Sequence, residues 1–320
     1  MPPLPRPGLR SSILWIALTI VPAVGAARAD EPARAGAEFS GDRAMEHLEA
    51  IVAIGPRVSG SPGMEKQRDL AIEHFRAAGA TVTRQGFQIR DRRTGKPVAM
   101  ENVVVEWHPE REERILLGAH YDTRPFPDRD PAEPRGTFVG ANDGASGVAL
   151  LMELAGAMPG LEGPLGVDFV LFDGEEYVFG PRDPYFLGST HFARQYAAGR
   201  KSGAVAHRYR AGLVLDMVAD ADLAIWQEVN SLTWPDTRPV VEGLWEVAAR
   251  LGVRQFVARP RHTVDDDHVP LRNIARIPTA DVIDFDYPAW HTTRDTADAC
   301  SGESLGAVGR VVLEWLREQR

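Results

Sequence analysis

The segment LLGAHYD, residues 116–122, is an apolar run of strand length that ends in the polar residues His120 and Asp122. A small-residue turn, a helical pattern over residues 144–158 and a second apolar run over residues 167–172 follow it. Two apolar strands joined through a helix of this length predict parallel pairing with a crossover connection. Because these strands are almost continuously apolar, we expect layers of helices to cover both faces of the sheet.

The rest of the chain continues this alternation of helical and strand-like patterns. Apolar residues at helical spacing predict helices over residues 44–54, 64–78, 144–158, 187–198, 238–251 and 305–318. The predicted strands cover residues 81–89, 101–107, 114–120, 167–172, 213–218 and 278–283. The fold class that this order predicts is a three-layer α/β sandwich, with a mostly parallel central sheet and helices on both faces.

One long stretch, residues 123–138, shows neither pattern and is rich in Pro, Asp and Arg. Loops of that length inside a compact domain are usually functional or disordered, so this one is a candidate wall of the active site. No shift in composition marks a second domain. Residues 30–320 are therefore predicted to form a single catalytic domain.

Composition and charge exclude several classes of protein. With 44% hydrophobic and 25% charged residues, the 320-residue chain has globular composition, which excludes disorder, collagen and coiled coil. A net charge of −9 argues against a nucleic-acid-binding protein, which would carry a basic face. The one cysteine, Cys300, excludes an intrachain disulfide framework and a Cys-rich zinc cluster. Any metal must therefore be bound by His, Asp and Glu.

The first 29 residues have the three parts of a secretory signal peptide. Arg6 and Arg10 precede an apolar run over residues 13–24, and an Ala-Arg-Ala site ends at Ala29. The alternative is an uncleaved anchor, but the run is shorter than the roughly 20 residues that a transmembrane helix needs. We expect cleavage after Ala29 and an exported protein, periplasmic or secreted, without membrane attachment.

Polar side chains with metal-binding groups gather where the predicted strands end. They are His120, Asp122, Asp143, Glu175, Glu176, Asp216 and His291. In a doubly wound sheet, ligands bind beyond the carboxyl ends of the strands. One strand-end aspartate is more often a cap or turn residue, but so many together favour a site. Imidazole and carboxylate ligands without thiolate suit a catalytic zinc centre, and Asp122 could orient the imidazole of His120.

These motifs resemble the zinc aminopeptidase superfamily, peptidase family 28, and within it the glutaminyl-peptide cyclotransferases, or glutaminyl cyclases. The similarity runs from Leu48 to the closing helix and rests on residues 120–122, 140–143, 173–176, 215–216 and 290–292. Three features resemble the cyclase branch in particular. They are the DDHVP segment at residues 266–270, Trp290 directly before His291, and the FLGS segment at residues 186–189 together with His191.

The resemblance implies a role for each of these residues. Asp143, Glu176 and His291 would hold one zinc ion. Glu175 would transfer protons, and Asp216 and Asp266 would complete an acidic hydrogen-bond network as catalytic residues. Trp290 and His268 would contact the substrate. His120 matches a position that is a ligand in two-zinc aminopeptidases but not in the one-zinc cyclases.

Three functions therefore remain open, of which we favour the first. A cyclase would convert the N-terminal glutamine of a peptide or protein to pyroglutamate and release ammonia. An aminopeptidase would remove N-terminal residues, with a second zinc ion between His120, Asp143 and Asp216. A non-catalytic binding domain would predict missing ligands, and none is missing from the sequence. In each case we expect a monomer with peptide partners and no nucleic acid.

Overall fold

A six-stranded sheet forms the centre of the computed structural model, which describes residues 1–4 and 38–319. The strands are β1 (Thr81–Arg90), β2 (Pro97–Trp107), β3 (Glu113–His120), β4 (Gly166–Phe172), β5 (Arg208–Asp216), β6 (Ile225–Gln227), β7 (Phe256–Pro260) and β8 (Thr279–Ile283). The central sheet has the order β1-β2-β4-β3-β5-β8, and β6 and β7 form a separate pair. Strands β4, β3, β5 and β8 run parallel, which confirms the predicted mostly parallel sheet.

The two strands at one edge are antiparallel for a reason that lies in their connections. A short turn over residues 91–96 joins β1 to β2, and residues 108–112 join β2 to β3 without a helix. Parallel neighbours need a crossover of a dozen or more residues. The short connections therefore make β2 antiparallel to both β1 and β4.

Helices cover both faces of the sheet, as predicted. They are α1 (Gly41–Val52), α2 (Pro62–Ala77), α3 (Ala145–Leu154), α4 (Leu187–Ser202), α5 (Val229–Thr233), α6 (Arg238–Leu251), α7 (His268–Asn273) and α8 (Gly302–Glu318). Leu117 faces the core that includes α1, α3, α6 and α8, whereas its neighbour Leu116 faces α4 and α7. This alternation along one buried strand is what divides the core into two layers.

Several helices begin earlier than their apolar spacing indicates, because a serine caps each one. Ser40 accepts a hydrogen bond from the amide of Arg43 at 3.3 Å, and Ser61 accepts one from the amide of Met64 at 3.2 Å. Ser301 caps α8 in the same way. Such caps bind amides of the first turn that have no partner within the helix, and they lie before the first apolar residue of each pattern.

The described residues from 38 onwards belong to one compact unit, Ala33–Arg320. As predicted from the sequence, residues 123–138 contain no helix or strand. Within the described part of the chain, no helix has both the length and the apolar character needed to span a membrane. Apart from residues 1–4, the predicted signal peptide lies outside the described residues.

Candidate metal centre and active site

A cavity of about 460 Å³ opens at the carboxyl end of the parallel strands. His120 is the last residue of β3 and Asp216 the last of β5, while Glu175 and Glu176 follow the end of β4. The cavity wall includes Asp143, Glu175, Glu176, Asp216, Asp266, Trp290 and His291. The structure thus brings together at one sheet edge nearly all the residues that the sequence singled out.

Asp143, Glu176 and His291 form a buried group with the spacing of metal ligands. His291 Nε2 lies 3.4 Å from Asp143 Oδ2 and 3.3 Å from Glu176 Oε1. Within the described structure, neither Nε2 of His291 nor Oδ2 of Asp143 has a hydrogen-bond partner. Two ligands of a tetrahedral zinc ion with bonds of about 2.0–2.1 Å lie about 3.3 Å apart. These three side chains therefore fit a zinc ion.

The turn that carries Asp143 is held by hydrogen bonds and by a glycine. Asp295 accepts hydrogen bonds from the amides of Asn142 and Asp143, at 2.8 and 3.1 Å. Gly144 follows with a φ of +100°, and a Cβ there would lie 2.5 Å from the carbonyl oxygen of Asp122. Only glycine accepts both this dihedral angle and this close approach without strain. The local sequence therefore fixes the backbone that carries the Asp143 side chain.

Asp122 positions the paired glutamates. Its carboxylate accepts hydrogen bonds from the amides of Glu175 and Glu176, at 3.1 and 3.0 Å. The predicted hydrogen bond between Asp122 and His120 is absent among the described residues. Nδ1 of His120 lies 3.7 Å from Oδ1 of Asp122, beyond hydrogen-bonding distance. Asp122 therefore acts on the backbone of the glutamate loop, since the amides of that loop lie closer to it than the imidazole does.

His120 lies between two carboxylates of a second group. Its Nε2 lies 3.1 Å from Asp216 Oδ1 and 3.3 Å from Asp143 Oδ1. Asp143 thus presents one oxygen to His291 and the other to His120. The geometry suits both a direct hydrogen bond between His120 and Asp216 and a second metal ion, which His120, Asp143 and Asp216 would hold.

The surroundings of Glu175 and Glu176 move their pKa values in opposite directions. Burial, together with the charge of Glu176, raises the pKa of Glu175 well above its ordinary value. Burial also opposes ionisation of Glu176, but the nearby His291, together with the charge and the hydrogen bond of Arg124, outweighs it and lowers the pKa of Glu176 to about 2. Two carboxyl groups with pKa values pushed apart suit two different roles, a proton carrier and a permanently ionised ligand.

The remaining predicted residues occupy different positions relative to the cavity. Burial and the charge of Asp216 raise the pKa of Asp266, which lines the cavity, to about 6. The ring of Trp290 also lines the cavity and packs against His291 with ring centres 4.3 Å apart. His268 is fully buried outside the cavity wall, with its ring nitrogens 3.6 Å from carboxylates of Glu228 and Asp281.

Arg124 and Asp128 are site residues that the sequence did not single out. Arg124 Nη1 donates a hydrogen bond to Glu176 Oε2 at 2.8 Å, and Asp128 Oδ1 lies 3.2 Å from Nδ1 of His291. Both residues belong to the irregular stretch 123–138, which was expected to line the site. A charged pair four residues apart directly after the His120 motif was the one available signal.

The profile of Peptidase family M28 matches residues 102–316, more than half of the chain. The chain belongs to Peptidase family M28. Among solved structures, a glutaminyl cyclase from Fimbriiglobus ruber is 39% identical, with a TM-score of 0.84, over 92% of this chain and 100% of that one. A Zn-dependent exopeptidase from Parabacteroides distasonis is 28% identical, with a TM-score of 0.81, over 89% of this chain and 100% of that one.

Glutaminyl cyclases are also found among the proteins that are similar to this chain in sequence. The glutaminyl-peptide cyclotransferase of Drosophila melanogaster is 26% identical over 288 residues, which is 82% of this M28 chain and 77% of that protein. The resemblance to glutaminyl cyclases of the M28 family, drawn from the motifs alone, is thereby confirmed.

Proposed function

We propose that this M28 protein is a glutaminyl-peptide cyclotransferase, which converts the N-terminal glutamine of peptides to pyroglutamate and releases ammonia. The similarity to the F. ruber glutaminyl cyclase, which extends over 92% of the chain, carries the proposal. The cavity supports it, because a carboxyl group with a raised pKa, a group of His and carboxylate side chains at metal-ligand spacing, and an aromatic ring all line it.

Asp143, Glu176 and His291 would hold the zinc ion, since their free atoms converge at ligand spacing. When bound, zinc supplies Lewis-acid polarisation of a carbonyl group. The described residues offer only His and carboxylate donors here, which is a usual set for catalytic zinc. One zinc ion is the content that the cyclase proposal requires.

Glu175 would move the proton in the reaction. The α-amine of the substrate attacks the carbon of its γ-amide, so a C–N bond forms in the ring and the bond to the amide nitrogen breaks. Glu175 accepts the proton that the α-amine loses and donates it to the leaving nitrogen, which departs as ammonia. Burial and the charge of Glu176 raise the pKa of Glu175 well above its ordinary value, and a carboxyl group of this kind suits a role in which it accepts and then donates a proton.

Other side chains would bind and orient the substrate. Asp216 and Asp266 line the cavity beside Glu175 and would hydrogen-bond the substrate amine. The ring of Trp290 would pack against the glutamine side chain. His268 lies outside the cavity wall, within 4.8 Å of Asp266. We therefore propose that His268 helps to position Asp266 and does not contact the substrate, as the sequence had predicted it would.

Aminopeptidase activity is the second candidate, and the group of His120, Asp143 and Asp216 favours it. Its donor atoms lie within 4.8 Å of one another and would hold a second metal ion. Substitution of His120 separates the two functions. His120→Ala should retain one zinc ion and most activity in a one-zinc cyclase, but should lose a zinc ion and nearly all activity in a two-zinc peptidase.

Mass spectrometry of peptide products tests the proposal directly. The zinc-loaded protein is incubated with two peptides that differ only in the first residue, glutamine or leucine. Cyclisation predicts loss of ammonia from the glutamine peptide, faster than without enzyme, and no change in the leucine peptide. Release of the first residue from either peptide would instead identify an aminopeptidase.

We further propose that the protein is exported, periplasmic or secreted, after cleavage behind Ala29, and that it acts as a monomer. Sequencing of the N-terminus of the protein from its native host should begin at Asp30. Light scattering of the purified protein should give the mass of one chain.

A further inference from the structure

A closed chain of polar contacts lies behind two of the candidate zinc ligands. Glu176 and His291 each have one polar atom directed to the metal group and one directed away from it. The outward oxygen of Glu176, Oε2, accepts a hydrogen bond from Arg124 Nη1 at 2.8 Å. The outward nitrogen of His291, Nδ1, lies 3.2 Å from Asp128 Oδ1. Both outward atoms therefore have a charged neighbour from the same loop.

Arg124 and Asp128 are themselves joined, so the contacts form a ring. Nε and Nη2 of Arg124 donate to Oδ1 and Oδ2 of Asp128, each at 2.9 Å. This is the two-pronged pairing that the planar guanidinium makes with a carboxylate. The side chain of Arg124 is 6% exposed and that of Asp128 is 50% exposed. The buried Arg124 thus connects Glu176, through Asp128, to His291, and Asp128 reaches the surface.

The backbone holds the same loop against the segment that carries His291. The amide of Arg129 donates to the carbonyl oxygen of His291 at 3.1 Å. Asp130 accepts hydrogen bonds from the amide and the hydroxyl of Thr293, at 2.9 and 2.5 Å. The loop is therefore fixed to the ligand segment at His291 itself and again two residues later, at Thr293.

We propose that Arg124 and Asp128 are positioning residues for the zinc ligands, which rests on the zinc centre proposed above. Asp128 would accept a hydrogen bond from the Nδ1–H of His291, so the Nε2 lone pair would be directed to the metal. Arg124 occupies the second oxygen of Glu176, so this carboxylate offers the metal one oxygen only. The guanidinium of Arg124 binds both Glu176 and Asp128. We therefore expect Arg124 and Asp128 to act as a unit.

Zinc affinity of the full-length protein tests this directly. The protein is stripped with a chelator and titrated with zinc against a chromophoric competitor. Arg124→Met and Asp128→Asn should each weaken zinc binding about 10- to 100-fold, as loss of such outer partners usually does. The double variant should bind no more weakly than the weaker single variant, because residues that act as a unit are not additive.

Matched variants on the same loop serve as controls. Arg135→Met and Glu133→Gln remove the same kinds of charge from exposed positions outside the cavity wall, and should keep the affinity of the parent. Arg124→Lys keeps the charge but not the two-pronged geometry, so its affinity should fall between those of the parent and Arg124→Met. In the cobalt-loaded protein, the visible spectrum should change in the Arg124 and Asp128 variants and not in the controls.

The outcomes separate failure of this inference from failure of the zinc centre. If Arg124→Met and Asp128→Asn bind zinc as the parent does, while Glu176→Gln and His291→Ala lose it, the positioning role is wrong and the centre stands. If Glu176→Gln and His291→Ala also bind zinc as the parent does, the proposed centre is wrong, and the inference falls with it. Circular dichroism of each stripped variant identifies any that fail to fold, and Arg124→Lys then provides the test.

Discussion

At the scale of single residues, two neighbouring glutamates occupy different environments in one cavity. Glu176 is next to the guanidinium of Arg124 and the imidazole of His291, and this surrounding stabilises its charge. Glu175 has no such partner within 3.5 Å among the described residues, and its distance to Nδ1 of His120 is 3.9 Å. The proposed ligand, Glu176, and the proposed proton carrier, Glu175, thus differ in their neighbours, although both are glutamates.

Glu175→Gln tests this distinction. The variant should bind zinc with the affinity of the parent, because it removes no ligand, and should lose about 10²- to 10⁴-fold in turnover, because the amide cannot carry the proton. Zinc titration and ammonia release measure the two effects separately. Glu176→Gln is the matched comparison and should lose zinc. Loss of zinc in Glu175→Gln alone would mean that the two roles are reversed.

At the scale of elements, the predictable parts of the site were those that end a regular pattern. His120 and Asp216 follow long apolar runs, so a change from apolar to polar marks them in the sequence. Arg124 and Asp128 lie in a stretch without periodicity, where nothing local shows which charges will be buried. Strands β6 and β7 and helices α5 and α7 were missed because segments of three to six residues are too short to show a period.

The turn before α3 gives a prediction at this scale. Gly144→Ala should destabilise the protein by about 1–3 kcal/mol, because the new methyl group would meet the carbonyl of Asp122 in a strained backbone region. It should also weaken zinc binding, since Asp143 is the preceding residue. Gly252→Ala is the control, because Gly252 has a φ of +69° but no atom within 4 Å of an added Cβ. Chemical denaturation should show the smaller loss for Gly252→Ala and no change in zinc affinity.

At the scale of the whole molecule, the two ends of the sheet carry different polar clusters. The cavity lies at the carboxyl ends of the strands, and a buried cluster of Arg114, Asp168 and Tyr209 lies at the other end. Nε of Arg114 donates a hydrogen bond to Asp168 at 2.9 Å, and the hydroxyl of Tyr209 donates another to Asp168 at 2.5 Å. All three side chains are buried. We expect this buried cluster to stabilise the fold and to have no direct effect on the cavity at the other end of the sheet.

Arg114→Met should therefore lower stability and leave zinc binding unchanged. Removing the guanidinium leaves Asp168 as an unpaired buried charge, which costs about 3–5 kcal/mol. The exposed pair of Arg210 and Glu113, with 3.5 Å between its charged atoms, supplies the control. Arg210→Met should change the free energy of unfolding by less than about 1 kcal/mol. Equal losses in the two variants, measured by chemical denaturation, would contradict the structural role of Arg114.

Buried acids make the stability of the metal-free protein depend on pH. Burial raises the pKa of Asp284 from 3.8 to about 6, so the folded protein holds this proton more tightly than the unfolded chain does. Its contribution to stability is therefore present below about pH 4 and is lost as the pH rises through 6. Between pH 5 and 7.5 the parent should lose about 1 kcal/mol more than Asp284→Asn. Denaturation curves at both pH values, in the presence of a chelator, measure this difference, and parallel losses would contradict it.

The candidate ligands Asp143, Glu176 and His291 come from segments that are far apart in the chain. To bring the three ligands together, the chain must close long loops. Loop closure is slow, and its entropic cost is offset only when native contacts form. A partly folded chain therefore has no preformed site to offer, and metal would be captured only once the native topology exists. We therefore expect the polypeptide to fold before it binds the proposed zinc ion. Zinc uptake would then report how much of a refolding population has reached the native state.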